Sequence, residues 1–308
     1  MEKSINLWEL PKADEIYMIA GWRQWADAGS VSSGLPHYII QQTKAHEIGE
    51  IRQRDFYLFQ FPGTHDLVRP MVKFDDGHAK FLQIPRNDFF YTGSEHKGLV
   101  IFVGDEPHLN IEQYVKAFLD SAEMLNVKRI IGVGGVYGEL PYDKERMVSC
   151  IYSLPAMKDG LGEFAVDFSD YQGGASIGSY ISYRAGEREI EYLSFYAFVP
   201  TYDFSNINEL GNTVRIENDF MAWLGIMQRL NFMLKLDFDL KDLEKKSDRL
   251  VSLVDAKVKE LEKSAPQAGI REYLNKLSDH FEEKPFSPLD DVWEDEIRRL
   301  FNDDESVE

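Results

Sequence analysis

Gly98-Leu99-Val-Ile-Phe-Val103-Gly104-Asp-Glu-Pro107 opens with an uninterrupted apolar run that carries β-branched residues. Such a run, closed by a turn signal, fits a central parallel strand buried on both faces. Asn110 stands where a helix N-cap belongs. Behind it Ile111, Tyr114, Val115, Phe118, Leu119, Ala122 and Leu125 recur at three- and four-residue spacing, one apolar helical face. Arg129-Ile-Ile-Gly-Val133 then reads as the returning strand. Strand, helix and strand at this spacing make a βαβ unit, whose crossover is expected to be right-handed.

Working outward, Ile16-Tyr-Met-Ile-Ala20 reads as a buried strand that runs into a loop at Gly21. Lys80 to Ile84 reads as a strand ending at Pro85, and Tyr192 to Val199 as a core strand closed by Pro200. Phe220 to Leu236 is apolar nearly all round and predicts a buried helix. After about residue 237 the pattern narrows. Leu240, Leu243, Leu250, Val254 and Leu261, broken at Pro266 and Gly269 and followed by Tyr273, Leu274 and Leu277, predict a helical hairpin with a thin apolar seam. So thin a seam must pack on something. The chain therefore divides into an α/β core, residues 1–237, and a helical arm with an acidic tail, residues 238–308. In that tail Trp293, Ile297, Leu300 and Phe301 suggest a short amphipathic helix, with fraying beyond it.

The 308 residues hold 34 Lys and Arg against 53 Asp and Glu, a formal charge of −19. Three basic and eleven acidic side chains lie in the last 28 residues. A negative surface of this size repels nucleic acid and anionic membranes. At 44% hydrophobic residues the chain can fill a large core. No window approaches the ~20 apolar residues of a membrane helix, and the N-terminus carries no signal-peptide core. A cytoplasmic protein is expected. Cys150 is alone, which excludes an internal disulfide, and its apolar neighbours suggest a buried, inert thiol.

Catalytic signatures are sparse. Gly132-Val-Gly-Gly-Val-Tyr-Gly138 approaches a dinucleotide pattern, but Tyr137 stands where the third glycine belongs. A tight strand-end loop is the plainer reading. No P-loop and no G-x-S-x-G elbow exist, and the seven histidines include no metal-binding pair. No metal and no cofactor are expected. Asp27, Asp105, Glu106 and Glu139 follow predicted strands, where open α/β sheets bind ligands. Paired carboxylates there could do acid–base work, although turns and helix starts also favour acids. An enzyme would place Asp27, Glu106 and Glu139 in the crevice, with Arg23 or Arg146 for an anion. The aromatic set Phe195, Tyr196, Phe198, Tyr202 and Phe204 reads as core or interface rather than a base-stacking platform. Trp22 and Trp25, within Gly21 to Gly29, should line the crevice or a subunit interface, unless the indoles pack on the domain's own core.

Four segments in order resemble one family. Gly21-Trp22-Arg-Gln-Trp-Ala-Asp27-Ala28-Gly29 resembles its early GW-x-D-A-G loop, with two extra residues before Asp27. Gly104-Asp-Glu106-Pro107 resembles its G-x-EP turn, Val127 to Tyr142 its glycine loop with a following proline, and Val199-Pro200-Thr-Tyr202 its VP-x-Y strand end. The family is that of proteasome assembly chaperone 2, and the resemblance spans roughly residues 10 to 240. It implies a three-layer α/β/α fold similar to nucleoside phosphorylases and peptidyl-tRNA hydrolases. The helical extension is similar to that of bacterial members. It also implies a homo-oligomer, with a trimer favoured, and a non-enzymatic assembly role that engages another protein complex. Trp22, Arg23, Asp27, Gly104, Gly134 and Gly135 are the ligand-binding candidates. The alternative is a nucleoside-phosphorylase-like or hydrolase enzyme acting on a small molecule. Two departures stand out. The chain ends Ser306-Val307-Glu308, without the penultimate tyrosine by which some archaeal relatives dock to proteasomes. No nucleotide loop supports the ATP-grasp-like label the family has carried.

Overall fold

The computed structural model describes residues 4–53, 55–60, 68–203, 213–266 and 269–286. The run at Leu99 is the middle of strand β7 (Lys97–Asp105), and the expected helix follows as α2 (Ile111–Met124). The returning strand is β8 (Val127–Gly138). Between β7 and β8 lies β2 (Glu15–Arg23), parallel to both. β11 (Tyr192–Asp203) is parallel to β8 on its other side. These four parallel strands form the middle of the sheet. On one flank β6 (Asn87–Gly93) pairs antiparallel with β7, so β7 is parallel on one side only. β3 (His46–Ile51) and β1 (Ile5–Leu7) continue that flank. On the other flank stand β9 (Val148–Tyr152) and β10 (Asp167–Phe168).

Helices cover both faces. α2 and α4 (Ile177–Glu187) lie over one, with Tyr114, Phe118 and Ile181 buried against Phe102 and Tyr192. α1 (Gly34–Thr43) and α5 (Phe220–Leu234) lie over the other, with Leu35, Trp223 and Ile226 against Ile101 and Phe195. This is the three-layer α/β/α arrangement. The helical extension is present as α6 (Lys241–Ser264) and α7 (Ile270–Asp279). Its seam residues Leu243, Val254, Val258, Leu261 and Leu274 join the buried cluster under α5. Among the described residues no helix is long and apolar enough to cross a membrane. The segment around Trp293, like Phe204 and the C-terminal residues, lies outside the described residues.

Four expectations need correction. Gly21, Trp22 and Arg23 are not loop, because β7 runs on to Asp105 and gives them partners at Val103, Gly104 and Asp105. Gly132 to Gly138 is not a loop but the carboxyl half of strand β8. Its glycines make room: a Cβ at Gly132 would meet the Tyr192 hydroxyl at 2.4 Å, and one at Gly134 the Tyr196 ring at 2.7 Å. Pro200 does not close β11, which pairs on to Asp203 with β12 (Thr213–Arg215). Asn110 takes the N-cap position, but its side-chain amide donates to the Asp55 carbonyl and caps nothing.

Two further strands stand apart from the sheet. β4 (Met71–Asp75) and β5 (His78–Gln83) pair only with each other, and nearly every residue in them is exposed. Asp76 and Gly77, both at positive φ (46° and 76°), make the turn. Two central residues in that region match the twist of a tight hairpin, and Asp-Gly is its favoured pair.

Cys150 is buried on β9, and burial pushes its thiol from the ordinary 9.0 up to about 12. A shift of that size leaves about a thousandfold less thiolate at pH 8. A maleimide at pH 8 is therefore expected to leave the folded protein unlabelled and to label it in urea. Rapid labelling of the native protein would contradict this burial.

Candidate functional site

The carboxyl ends of β2, β7, β8 and β11 lie together at one end of the sheet, where the loop after β2 crosses. That loop is stitched down at every step. The Gly135 N–H donates to the Ala26 carbonyl at 2.9 Å, the Glu106 N–H to the Arg23 carbonyl at 3.2 Å and the Asp219 N–H to the Gly29 carbonyl at 2.9 Å. The Trp22 N–H donates to the Ser32 hydroxyl at 2.8 Å. Buried backbone groups need such partners, and here the loop supplies them.

Trp22 is core. Its ring meets Phe102 and Phe118, and its Nε1–H donates to the Tyr114 hydroxyl, which donates on to Asn87. Gly104 serves that packing, since a Cβ there would meet the Phe102 ring at 2.7 Å. Arg23 pairs with the buried Asp105 carboxylate at 2.6 Å, and the other Asp105 oxygen accepts the Arg86 N–H. Asp27 accepts the Ser32 and Ser33 N–H groups on one oxygen and the Ser33 hydroxyl on the other. Burial raises its carboxyl, and those three donors, with Arg23, pull it back. This is turn chemistry.

Glu106 accepts the Ile177 N–H at the first turn of α4. Burial raises this carboxyl too, against the lowering effect of the Ile177 and Trp25 amides. Ser176 caps the same helix through the Ser179 N–H. Glu139 lies elsewhere, against the Tyr273 hydroxyl of α7. Glu106 lines a space of about 10 Å³ shared with Trp22, Ser194 and Tyr196. One water fills such a space. Arg146 is paired at two of its nitrogens: its Nε donates to Asp219 at 2.8 Å and one terminal nitrogen to the Tyr142 and Lys144 carbonyls, while the other terminal nitrogen is buried with no partner among the described residues. Among the described residues no group of three or more His, Cys, Asp or Glu could hold a metal ion.

A much larger cleft, about 890 Å³, opens beyond Tyr196 and Ser176. It runs between α4 and the segment 169–175, over the carboxyl halves of β8 and β11 and the face of β9. Trp25, Tyr137, Tyr152, Tyr171, Tyr183 and Phe198 line it together with six serines. Glu187 is the one charged residue in this lining, and it is held by Arg184 at 2.7 Å. Sequence reasoning named Trp25 and the β11 aromatics Tyr196 and Phe198, and missed Tyr171 and Tyr183. Gly134 and Gly135 do not line it. A Cβ at Gly135 would meet the Ala28 carbonyl oxygen at 2.1 Å, so glycine there admits the loop.

The sequence pattern of the PAC2 family matches residues 22–258. Among solved structures, a PAC2 family protein from Streptomyces avermitilis is 22% identical with a TM-score of 0.67, over 84% of this chain and 99% of that one. A proteasome-assembly chaperone homologue from Mycobacterium tuberculosis is 19% identical with a TM-score of 0.66, over 78% and 94%. The archaeal proteasome activator PbaB from Pyrococcus furiosus is 18% identical with a TM-score of 0.59, over 82% and 97%. At these identities the likeness is one of fold. No curated protein matches the sequence.

Proposed function

Because the chain belongs to the PAC2 family, we propose that it is a non-enzymatic, assembly-chaperone-like protein. It works as a homo-oligomer, a trimer, in the cytoplasm, and engages another protein complex. The observation that carries this reading is where its reactive side chains are spent. Asp27 holds a turn, Glu106 caps α4, Glu139 meets the arm and Arg146 neutralises Asp219. A hydrolase or phosphorylase needs such groups converging on a substrate. The relatives described as a proteasome-assembly chaperone homologue and a proteasome activator share this fold, which supports a protein partner. We take α6 and α7 of the arm as a brace on the core, since their seam is buried against it.

The test is a pull-down from native lysate at mild salt, with light scattering of the purified protein. The expected result is a mass about three times 35.6 kDa and a near-stoichiometric multi-subunit partner identified by mass spectrometry. A monomer that retains no partner would overturn the reading.

A further inference from the structure

We propose that the aromatic cleft between α4 and the segment 169–175 binds an uncharged saccharide of more than one ring. Six serines and five tyrosines supply eleven of its 21 lining residues, so hydroxyls dominate its polar surface. Two of them point to a ligand. Ser149 on β9 and Ser182 on α4 keep only 9% and 6% of their surface exposed, yet both line the cleft. Among the described residues neither hydroxyl has a hydrogen-bond partner. A polar group walled in this way costs stability until something pairs with it. Each hydroxyl donates one hydrogen and accepts two, and another hydroxyl is the group that matches it both ways.

The walls add ring faces. Gln24 takes φ 116°, a conformation that residues with a side chain rarely adopt. It carries Trp25 into the cleft, with the Trp25 N–H held by Glu106 and the indole left 69% exposed. Core burial would favour an indole far more than this position does. A Cβ at Gly174 would stand 3.9 Å from that indole, and the Tyr171 hydroxyl donates to the Gly174 carbonyl at 3.4 Å. Two well-exposed rings therefore flank one glycine. A ring face is partly negative and attracts the slightly positive C–H hydrogens on the face of a sugar. Deeper in, the Ser176, Ser179 and Tyr196 hydroxyls lie 3.0 to 3.4 Å from one another, a second polar patch beside the apolar Phe198.

Charge narrows the ligand. No Lys, Arg or His is among the described lining residues, so an anion would find no partner on a chain of −19. A cation would find Glu187 already held by Arg184. It would also meet Arg184 over the Tyr183 ring and Arg215 over the Tyr137 ring. Burying an unpaired charge is costly, which leaves an uncharged molecule. A flat aromatic one would cover the rings but leave Ser149 and Ser182 unpaired. A saccharide meets both demands. The volume of about 890 Å³ is near the top of the ~300–1,000 Å³ range of ligand pockets and leaves room for more than one ring. Cutting a glycosidic bond takes two carboxyl groups, and the described lining offers Glu187 alone. The site binds without cleaving.

The test is calorimetry of the full chain with maltotriose, cellotriose and triacetylchitotriose, using adenosine and spermidine as aromatic and cationic controls. At least one trisaccharide is expected to bind and to be recovered uncut. Its affinity should fall about tenfold in Trp25→Ala and about two- to tenfold in Ser182→Ala. Trp25→Phe keeps a ring and is expected to retain binding, which separates loss of the contact from loss of the fold. Failure of all three trisaccharides to bind at millimolar concentration overturns the proposal and leaves water as the partner of Ser149 and Ser182. Binding that is unchanged in both Trp25→Ala and Ser182→Ala places the sugar elsewhere and also overturns it. Tighter binding of adenosine or spermidine than of every saccharide overturns the ligand class. The cleft is complete within one protomer, so none of these results bears on the assembly reading.

Discussion

Asp219→Ala is expected to lower stability by about 3–5 kcal/mol, the cost of stranding a buried charge. Asp219 and the Arg146 side chain are both essentially without solvent contact, and their ion pair spans 2.8 Å. The carboxylate also accepts the Met221 and Ala222 N–H groups at the start of α5. Loss of such a cap alone costs about 1 kcal/mol. The larger figure comes from the guanidinium, which would remain among the Pro141, Tyr142 and Lys144 carbonyls without its counter-charge. Arg146→Met should cost less, because the Asp219 carboxylate keeps the Met221 and Ala222 N–H groups as donors. Arg146→Met combined with Asp219→Ser should recover part of the single-variant loss, since no charge is stranded. Urea midpoints of the four proteins measure this. An Asp219→Ala loss near 1 kcal/mol would reduce the residue to a helix cap.

The same pair shows what a sequence can and cannot reveal. Residues 99–133 were legible because burial on both faces of β7 demands an uninterrupted apolar run, and one-sided burial of α2 demands a 3.6-residue period. Arg146 and Asp219 lie 73 positions apart, and neither position has a local pattern that announces the other. Glycine and proline misled for a definite reason. Both usually punctuate elements, yet Gly132 to Gly138 are strand residues thinned for close neighbours. Pro200 is tolerated within β11 because the β9 partner has already ended at Ala197, leaving one side of the strand with no ladder bond to lose.

At the site the carboxylates were legible as acids at strand ends and illegible as to task. Whether Asp27 or Glu106 performs chemistry or turn-making depends on which amides face it, and only the fold sets that. The aromatic cleft was less legible still. Trp25, Tyr137, Tyr171 and Tyr183 come from separate elements, and an isolated exposed aromatic carries no signal. The hairpin did have a local signal, Asp76-Gly77 between apolar residues, which the reading of Lys80 to Ile84 as a lone strand passed over.

Gly135→Ala is expected to cost about 3 kcal/mol, the upper part of the usual overpacking range. The new methyl carbon would stand 2.1 Å from the Ala28 carbonyl oxygen and 3.0 Å from the Val31 side chain. A backbone oxygen cannot yield as a side-chain tip can, so the loop after β2 must lift. Lifting it strains the Gly135 to Ala26 hydrogen bond and the bridge at Asp27. Gly21, whose Cβ would lie 1.8 Å from the Ser32 carbonyl oxygen, holds the same loop from β2. Gly160, in the short helix α3 (Lys158–Leu161), is the control, because nothing lies within 4 Å of a Cβ there. Gly160→Ala should be neutral or stabilising by up to about 1 kcal/mol, the helix preference of alanine over glycine. Thermal midpoints compare the two variants directly. A large loss at Gly135 beside none at Gly160 identifies the glycine as a packing residue of the loop. An unchanged midpoint at Gly135, with altered binding of a partner or ligand, would mean that the glycine admits something from outside the chain, and the loop would then belong to a recognition surface.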